Sequence, residues 1–402
     1  MRCMLALIAI AFGATEAFAA DNFSSPVSYP AGYRPNALAA ADLNGDHRDD
    51  LCVVNFYNNT FSVFYAQPQG ILGPPIDYAN AYYPTNILAT DLNGDGRKDL
   101  LVTNQATSVY AKGAVSVYLG LDTGGFASPT NYTVSAYQPI SVATSNVNND
   151  AYADLVVGVR NFTSGYDEVN VFYGLPGGTF ATDYLKVIAG DELGQVKTGD
   201  FNGDGRPDLV MSVHVGNTVN IMYGQEGGAF VLGETRAAGH TPNGLVVDDF
   251  NHDGMQDVAV APYNSNGIYV FSGVAGGGLN SGDYYATVTS PTDLCEADFN
   301  RDGIGDLAAA TGYWYTDNIS VLYGLPGGGF GGRTDFPAGN APTDLATGDF
   351  NGDGLPDLAA VNYLDGTVSV ILNTMPEPAT LSLLALGGLA LLRRKRASEA
   401  KR

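Results

Sequence analysis

Seven times along the chain, oxygen-bearing side chains stand at the first, third, fifth and ninth places of a nine-residue segment. The sets are Asp42, Asn44, Asp46 and Asp50; Asp91, Asn93, Asp95 and Asp99; Asn146, Asn148, Asp150 and Asp154; Asp200, Asn202, Asp204 and Asp208; Asp249, Asn251, Asp253 and Asp257; Asp298, Asn300, Asp302 and Asp306; and Asp349, Asn351, Asp353 and Asp357. Carboxylates forced within about 4 to 6 Å of one another oppose folding unless a cation sits among them. Side-chain oxygens plus a carbonyl from the seventh place suit calcium, which accepts a flexible set of oxygens, better than magnesium, which demands a tight octahedron. The twelfth place carries no Glu, so the helix-pair behaviour of a calcium sensor is not implied. Up to seven structural Ca2+ ions are therefore expected, with all 28 side chains as candidate ligands. Asp, Asn and Gly also make turns without metal, by bonding their own backbone and tolerating positive φ. Seven copies in register favour the ion. The third is the poorest, with Asn146 in place of an Asp and Ala151 where Gly usually stands. It is expected to be the weakest site, or empty.

Something must hold these loops in register. They start 49, 55, 54, 49, 49 and 51 residues apart, a period typical of propeller blades or repeat arrays. Each loop is followed by a short apolar strand, such as Asp99-Leu100-Leu101-Val102, and then by an alternating one, such as Thr367-Val368-Ser369-Val370. A Gly-rich turn and a strand opening on Phe come next, and Pro35, Pro84, Pro139, Pro242, Pro291 and Pro342 each stand seven residues before a loop. Four short antiparallel strands in about 50 residues make a propeller blade. The expected fold is all-β, a seven-bladed propeller over residues 21–373. Its last unit stops after three strands, and Phe23 to Gly32 reads as a lone fourth strand that would close it, removing free edges.

Composition agrees and excludes some functions. Gly at 51 and Tyr at 24, with only 15% charged residues, suit strands and tight turns. A net charge of −23 with 19 basic residues argues against nucleic acid as a partner. Cys52 and Cys295 lie among apolar neighbours and read as buried free thiols. Of four histidines, His47 and His252 lie within loops, and His214 and His240 have no nucleophile motif or zinc spacing beside them. Asp167-Glu168 and Asp191-Glu192 are either a glycosidase-like pair or, more simply, solvated loop charges.

The two ends read as addresses. Residues 1–20 hold a basic start, an apolar run and Ala17-Phe18-Ala19, which together form a cleavable export signal. In residues 374–402, Pro376-Glu377-Pro378 precedes an apolar stretch to Leu392, closed by Arg393-Arg394-Lys395-Arg396. Such a stretch is shorter than a hydrocarbon core of about 30 Å and reads as transient membrane insertion. This tripartite ending resembles the PEP-CTERM sorting signal of Gram-negative bacteria, which implies an exosortase-type processing partner. A lipid-anchor signal is the rival, yet those tails end in their apolar run.

The repeat units resemble the FG-GAP/VCBS repeats of integrin α-subunit propellers and bacterial surface proteins. Gly329-Phe330-Gly331 and Pro337-Ala338-Gly339 approximate that family's Phe-Gly and Gly-Ala-Pro motifs. The resemblance implies calcium loops on a lower face and ligand recognition on the upper one. The upper loops carry Tyr57, Tyr110, Tyr166, Tyr263, Tyr313-Trp314-Tyr315 and Tyr363, which either hold sugar rings or protein side chains, or pack between blades and over the central channel. The functional expectation is a secreted or cell-surface, non-catalytic adhesion or extracellular-matrix module with a protein or polysaccharide ligand. The alternative is a propeller lectin or polysaccharide-acting enzyme.

Overall fold

A computed structural model describes residues 23–80, 82–312 and 317–375. Within them the chain forms seven four-stranded antiparallel sheets, in strand order first to fourth from the axis outwards. Blade 1 comprises Pro35–Ala41, Asp50–Asn55, Thr60–Phe64 and Ile76–Ala79. The first strands of blades 2 to 7 are Pro84–Thr90, Gln138–Ser145, Leu193–Gly199, Pro242–Asp248, Pro291–Ala297 and Pro342–Gly348. First strands of neighbouring blades touch all the way round, and the last touches that of blade 1. The ring is closed.

The seven cores lie between blades. Second strands such as Asp99–Asn104 and Asp357–Asn362 are buried along their whole length, because a blade interior is covered on both faces and so calls for a continuous apolar run. In one cluster, Val210, Val219 and Ile221 of blade 4 meet Leu245, Val258 and Phe271 of blade 5. The second place of each acidic loop joins the same interfaces. Phe201, Phe250, Phe299 and Phe350 are buried there, as is Val147, with Leu43 and Leu92 packed against theirs. Burying a Phe stabilises by about 1.5–3 kcal/mol, so each loop is also an apolar anchor to the next blade.

Closure occurs as expected. Val27–Pro30 pairs antiparallel with Thr367–Ile371 as the outermost strand of blade 7. Phe23 bridges to Asn373, and its ring stands 4.8 Å from that of Phe336 and 5.6 Å from that of Phe299. Cys52 and Cys295 are buried free thiols in different interfaces. The fourth strand opens with Phe only in blades 4 and 6; in blades 2 and 5, Phe126 and Leu279 instead make isolated bridges to glycines ahead of shorter strands. Among the described residues, no helix is long and apolar enough to cross a membrane. The residues read as an export signal, and those from Pro376 onward read as a sorting tail, lie outside the described residues.

A further device surrounds the axis. Every first strand bulges near its start, between Pro35 and Ala37 in blade 1, for example, and between Leu193 and Val196 in blade 4. A bulge re-aims a side chain out of the ladder. Asn36 thus donates to the Thr85 carbonyl, Thr85 to that of Pro139, Asn243 to that of Thr292, and Thr292 to that of Pro342. Ser141 reaches the Val196 carbonyl and Ser212 that of Asn243, while Asp344 accepts from the Leu38 amide at 2.8 Å. All seven joints between blades are tied by a side chain.

Candidate metal-binding loops and the opposite face

Each acidic loop joins the first and second strands of its blade at one end of the ring. In the first loop Asp42 Oδ1 accepts from the Gly45 and Asp46 amides at 2.7 and 3.2 Å, and Oδ2 accepts from that of His47 at 2.9 Å. Asp91, Asp200 and Asp349 repeat all three bonds. The sixth place turns through positive φ, at 65° for His47, 84° for Gly96 and 80° for Gly205. Loop 3 departs from this. Ala151 does not adopt positive φ, and Asn146 donates to the Asp150 carbonyl at 2.5 Å instead of accepting from the sixth-place amide.

The ninth-place carboxylates do something that spacing did not suggest. Asp99 is fully buried, its Oδ2 accepting from the Leu92 amide at 2.9 Å and its Oδ1 from Gly120 at 2.8 Å, so it clamps the loop to the end of the third strand. The other six make the same clamp. Burial, with the neighbouring loop carboxylates adding to it, pushes Asp50, Asp306 and Asp357 up to about 7, and Asp208 and Asp257 to about 6, against the pull of the amides. Replacing Asp99 with Ala leaves one buried and one partly buried amide without acceptors and is expected to cost about 2–4 kcal/mol in urea unfolding, in chelator as well as in calcium. An unchanged midpoint would remove the clamp from the account.

The loops fit a hard cation in donor chemistry and in charge. Their first, third, fifth and ninth places offer only side chains of Asp and Asn, and the ninth-place carboxylates are raised by burial first and then by the loop carboxylates beside them. They are not drawn together into a finished cage: among the described residues, no three His, Cys, Asp or Glu side chains converge as a metal group. Loops 1 and 4 answer part of the charge internally, through Arg48 on Asp46 and Arg206 on Asp204, each at 2.5 Å, and Arg97 pairs with Asp95 in loop 2.

The opposite face holds a cavity of about 490 Å³ on the ring axis, lined from all seven blades. Three residues down the first strands a polar bar crosses it. Gln195 accepts from the Leu245 amide and donates to Asp293 at 2.9 Å; Asp293 hydrogen-bonds Asp344, which is held well above the carboxylate range by burial and then by that neighbour. On the wall, Arg160 donates to the Leu193 carbonyl at 2.7 Å and to His214 Nδ1 at 3.2 Å, and His214 Nε2 donates to Asn243 at 3.3 Å. Burial first, then the guanidinium, pulls His214 down to about 4, so it is neutral.

At the rim, Arg34 lies 5.0 to 5.8 Å from the ring centroids of Tyr363, Tyr57 and Tyr33, and Phe56 and Tyr83 extend the group. Tyr57 and Tyr363 thus lie together around Arg34, and Tyr263 lines the cavity. Tyr110 and Tyr166 stand exposed. Tyr313, Trp314 and Tyr315 lie outside the described residues. Asp167 and Glu168 are not solvated loop charges: both are buried in a strand of blade 3, Asp167 accepting from the Asn161 and Leu193 amides and Glu168 pairing with Lys186 at 3.1 Å. An alternating strand hides the inward turn of a charge whose partners are distant in sequence. Asp191 and Glu192 are exposed.

Seven blades closed by the N-terminal strand, with an acidic loop at one end of each, define a repeat-built β-propeller. The model of the FG-GAP-like repeat matches residues 42–102, 91–157, 146–211, 249–309 and 298–360. The chain belongs to the FG-GAP-like repeat family. No curated protein matches it. Among solved structures it is similar to BBS1N in complex with ARL6DN, at TM-score 0.59 and 14% identity over 89% of this chain and 98% of that one. It is also similar to a functionally unknown protein from Desulfotomaculum acetoxidans, at 0.53 and 13% over 75% and 86%, and to a rhamnogalacturonan lyase from Bacillus licheniformis, at 0.50 and 14% over 88% and 76%. At such identities the likeness is one of fold.

Proposed function

We propose that the chain is a non-catalytic adhesion or matrix-binding module, exported and processed at the cell surface by an exosortase-type enzyme, braced by calcium in its acidic loops, and binding an extracellular polysaccharide or protein on the opposite face. The observation that carries this reading is the rim cluster, where Tyr33 and Tyr57 are 63% and 47% exposed around Arg34 beside the axial cavity. Exposed aromatic faces next to a guanidinium and amides suit sugar rings, which stack on one and hydrogen-bond to the other. The two ends of the sequence support export and processing. A lectin shares this reading of the face, and a polysaccharide-acting enzyme remains the alternative through the Asp293–Asp344 carboxyl pair. Glycosidase carboxyls stand about 5 Å or more apart across the scissile bond, whereas these two hydrogen-bond each other, so binding is favoured over hydrolysis.

The test is retention of the mature ring on immobilised extracellular polysaccharide and matrix protein. Replacing Tyr33 and Tyr57 together with Ala is expected to cut retention by about tenfold or more with the melting temperature unchanged. Retention equal to that of the unaltered ring, or release of shortened sugar products, would refute the proposal.

A further inference from the structure

The rim cluster does not stop at blade 1. Two places ahead of the Pro that opens each first strand, or of Leu193 in blade 4, stand Tyr33, Tyr82 and Tyr137 in blades 1 to 3, but Asp191, His240, Thr289 and Asn340 in blades 4 to 7. A repeat fold makes the same demand of every blade, so rings confined to three consecutive blades answer to something other than packing. Contacts run on from one to the next. Arg34 donates to the Tyr363 hydroxyl of blade 7 at 2.8 Å and lies over the Tyr57 ring, and the rings of Tyr57 and Phe56 stand 6.3 and 5.2 Å from that of Tyr83. The Gln105 backbone amide donates to the Tyr83 carbonyl at 3.0 Å, its side chain donates to the Tyr137 hydroxyl, and the Tyr137 ring stands 5.7 Å from that of Phe162. Tyr33, Tyr57, Tyr82 and Phe162 are exposed, as is Tyr110 in the same loop as Gln105. The arc covers the upper ends of blades 7, 1, 2 and 3 and stops at blade 4, where Asp191 and Glu192 stand exposed.

We propose that this arc is a track for the interior of a long, uncharged polysaccharide, several sugar residues of which stack on successive rings. The rings follow a curved line with the polar side chains of Asn58, Gln105 and Ser108 between them, which suits a linear ligand that repeats an apolar ring face and a hydroxyl edge. A protein partner concentrates its anchors at the centre of a patch instead. Arg34 is already engaged by a hydroxyl and three ring faces, and a chain of net charge −23 repels a polyanion. Neutral sugars meet neither obstacle. The inference rests on the upper face being the ligand face, and it names which ligand that face takes and which part of it.

The test is electrophoresis of the purified protein through gels containing, in turn, a neutral β-glucan, a galactomannan, polygalacturonate and alginate. Calorimetry follows with fragments of two and six sugars cut from any polymer that retards it. A neutral polymer is expected to retard the protein and the two acidic ones to leave it free, and the six-sugar fragment should bind at least about tenfold more tightly than the two-sugar one. Tyr82→Ala and Phe162→Ala, which remove exposed rings, should each weaken the six-sugar fragment by about three- to tenfold at an unchanged melting temperature. No retardation by either neutral polymer, retardation by an acidic one, equal affinity for the two fragments, or full affinity in both variants would overturn the track. Retention on matrix protein with none on neutral polysaccharide would sink this inference and leave the adhesion reading standing. Shortened sugars released from a polymer that binds with this dependence on length would sink the adhesion reading and leave the track.

Discussion

A chain lacking residues 23–32 is expected to lose its cooperative thermal transition and to elute as oligomers rather than as a monomeric ring. The segment supplies Val27–Pro30, the outermost strand of blade 7, and its removal bares the hydrogen-bonding edge of Thr367–Ile371. An open edge invites pairing with another chain. Phe23, only 8% exposed, also leaves the space between Phe299 and Phe336, and emptying such a site costs about 3–5 kcal/mol. The paired Ser28 and Ser369 hydroxyls and the Ser24 contacts to Leu372 go as well. Set against a total stability of about 5–15 kcal/mol, these losses leave little ring at ordinary temperature. Phe23→Ala alone should keep the fold at a lower melting temperature, and a peptide of residues 21–34 added to the truncated chain should restore the transition. A truncated monomer that melts where the full chain does would show that closure does not depend on this strand.

The blades were legible because their cause repeats. An acidic loop, a Pro seven residues upstream and an apolar run downstream recur with one period, so seven weak local signals add to one strong one. The closing strand was legible for a related reason: a unit with three strands at one terminus and a lone strand at the other complete each other. The ninth-place clamp was not legible, since the amides of Leu92 and Gly120 reach Asp99 only after three strands have been laid side by side. The axial belt was hidden differently. Asn36, Thr85, Asn243 and Thr292 stand immediately after their Pro, but Ser141 and Asp344 stand one place further on and Ser212 lies on a second strand. No single residue type or register marks the belt, so it emerges only when the blades are set side by side. Arg160, His214 and Asn243 come from three blades, and only the ring brings them together.

Chelation is expected to lower the melting temperature of the ring by about 10 °C or more, and by more at pH 8 than at pH 5.5. The sign follows from the ninth-place carboxylates. In the absence of metal, burial raises Asp50, Asp306 and Asp357 to about 7 and Asp208 and Asp257 to about 6, whereas an unfolded Asp titrates near about 3.9. Between those values the folded chain holds more protons than the unfolded one, so stability in chelator falls as pH rises from about 4 through about 7. On the proposal that calcium binds the ionised loops and the folded state only, one site would contribute about 4 kcal/mol at a thousand times its dissociation constant. Its benefit therefore grows through the same window, and the calcium-loaded and chelated melting curves should diverge with pH. Loop 3, where Asn146 brings no charge and Ala151 declines the turn, should surrender its ion first as calcium is lowered, leaving six held more tightly in native mass spectrometry. Melting curves that coincide with and without chelator at pH 8, together with no metal in the purified protein, would reduce the loops to turns that hold themselves by Asp42-type side-chain bonds and Phe anchors alone.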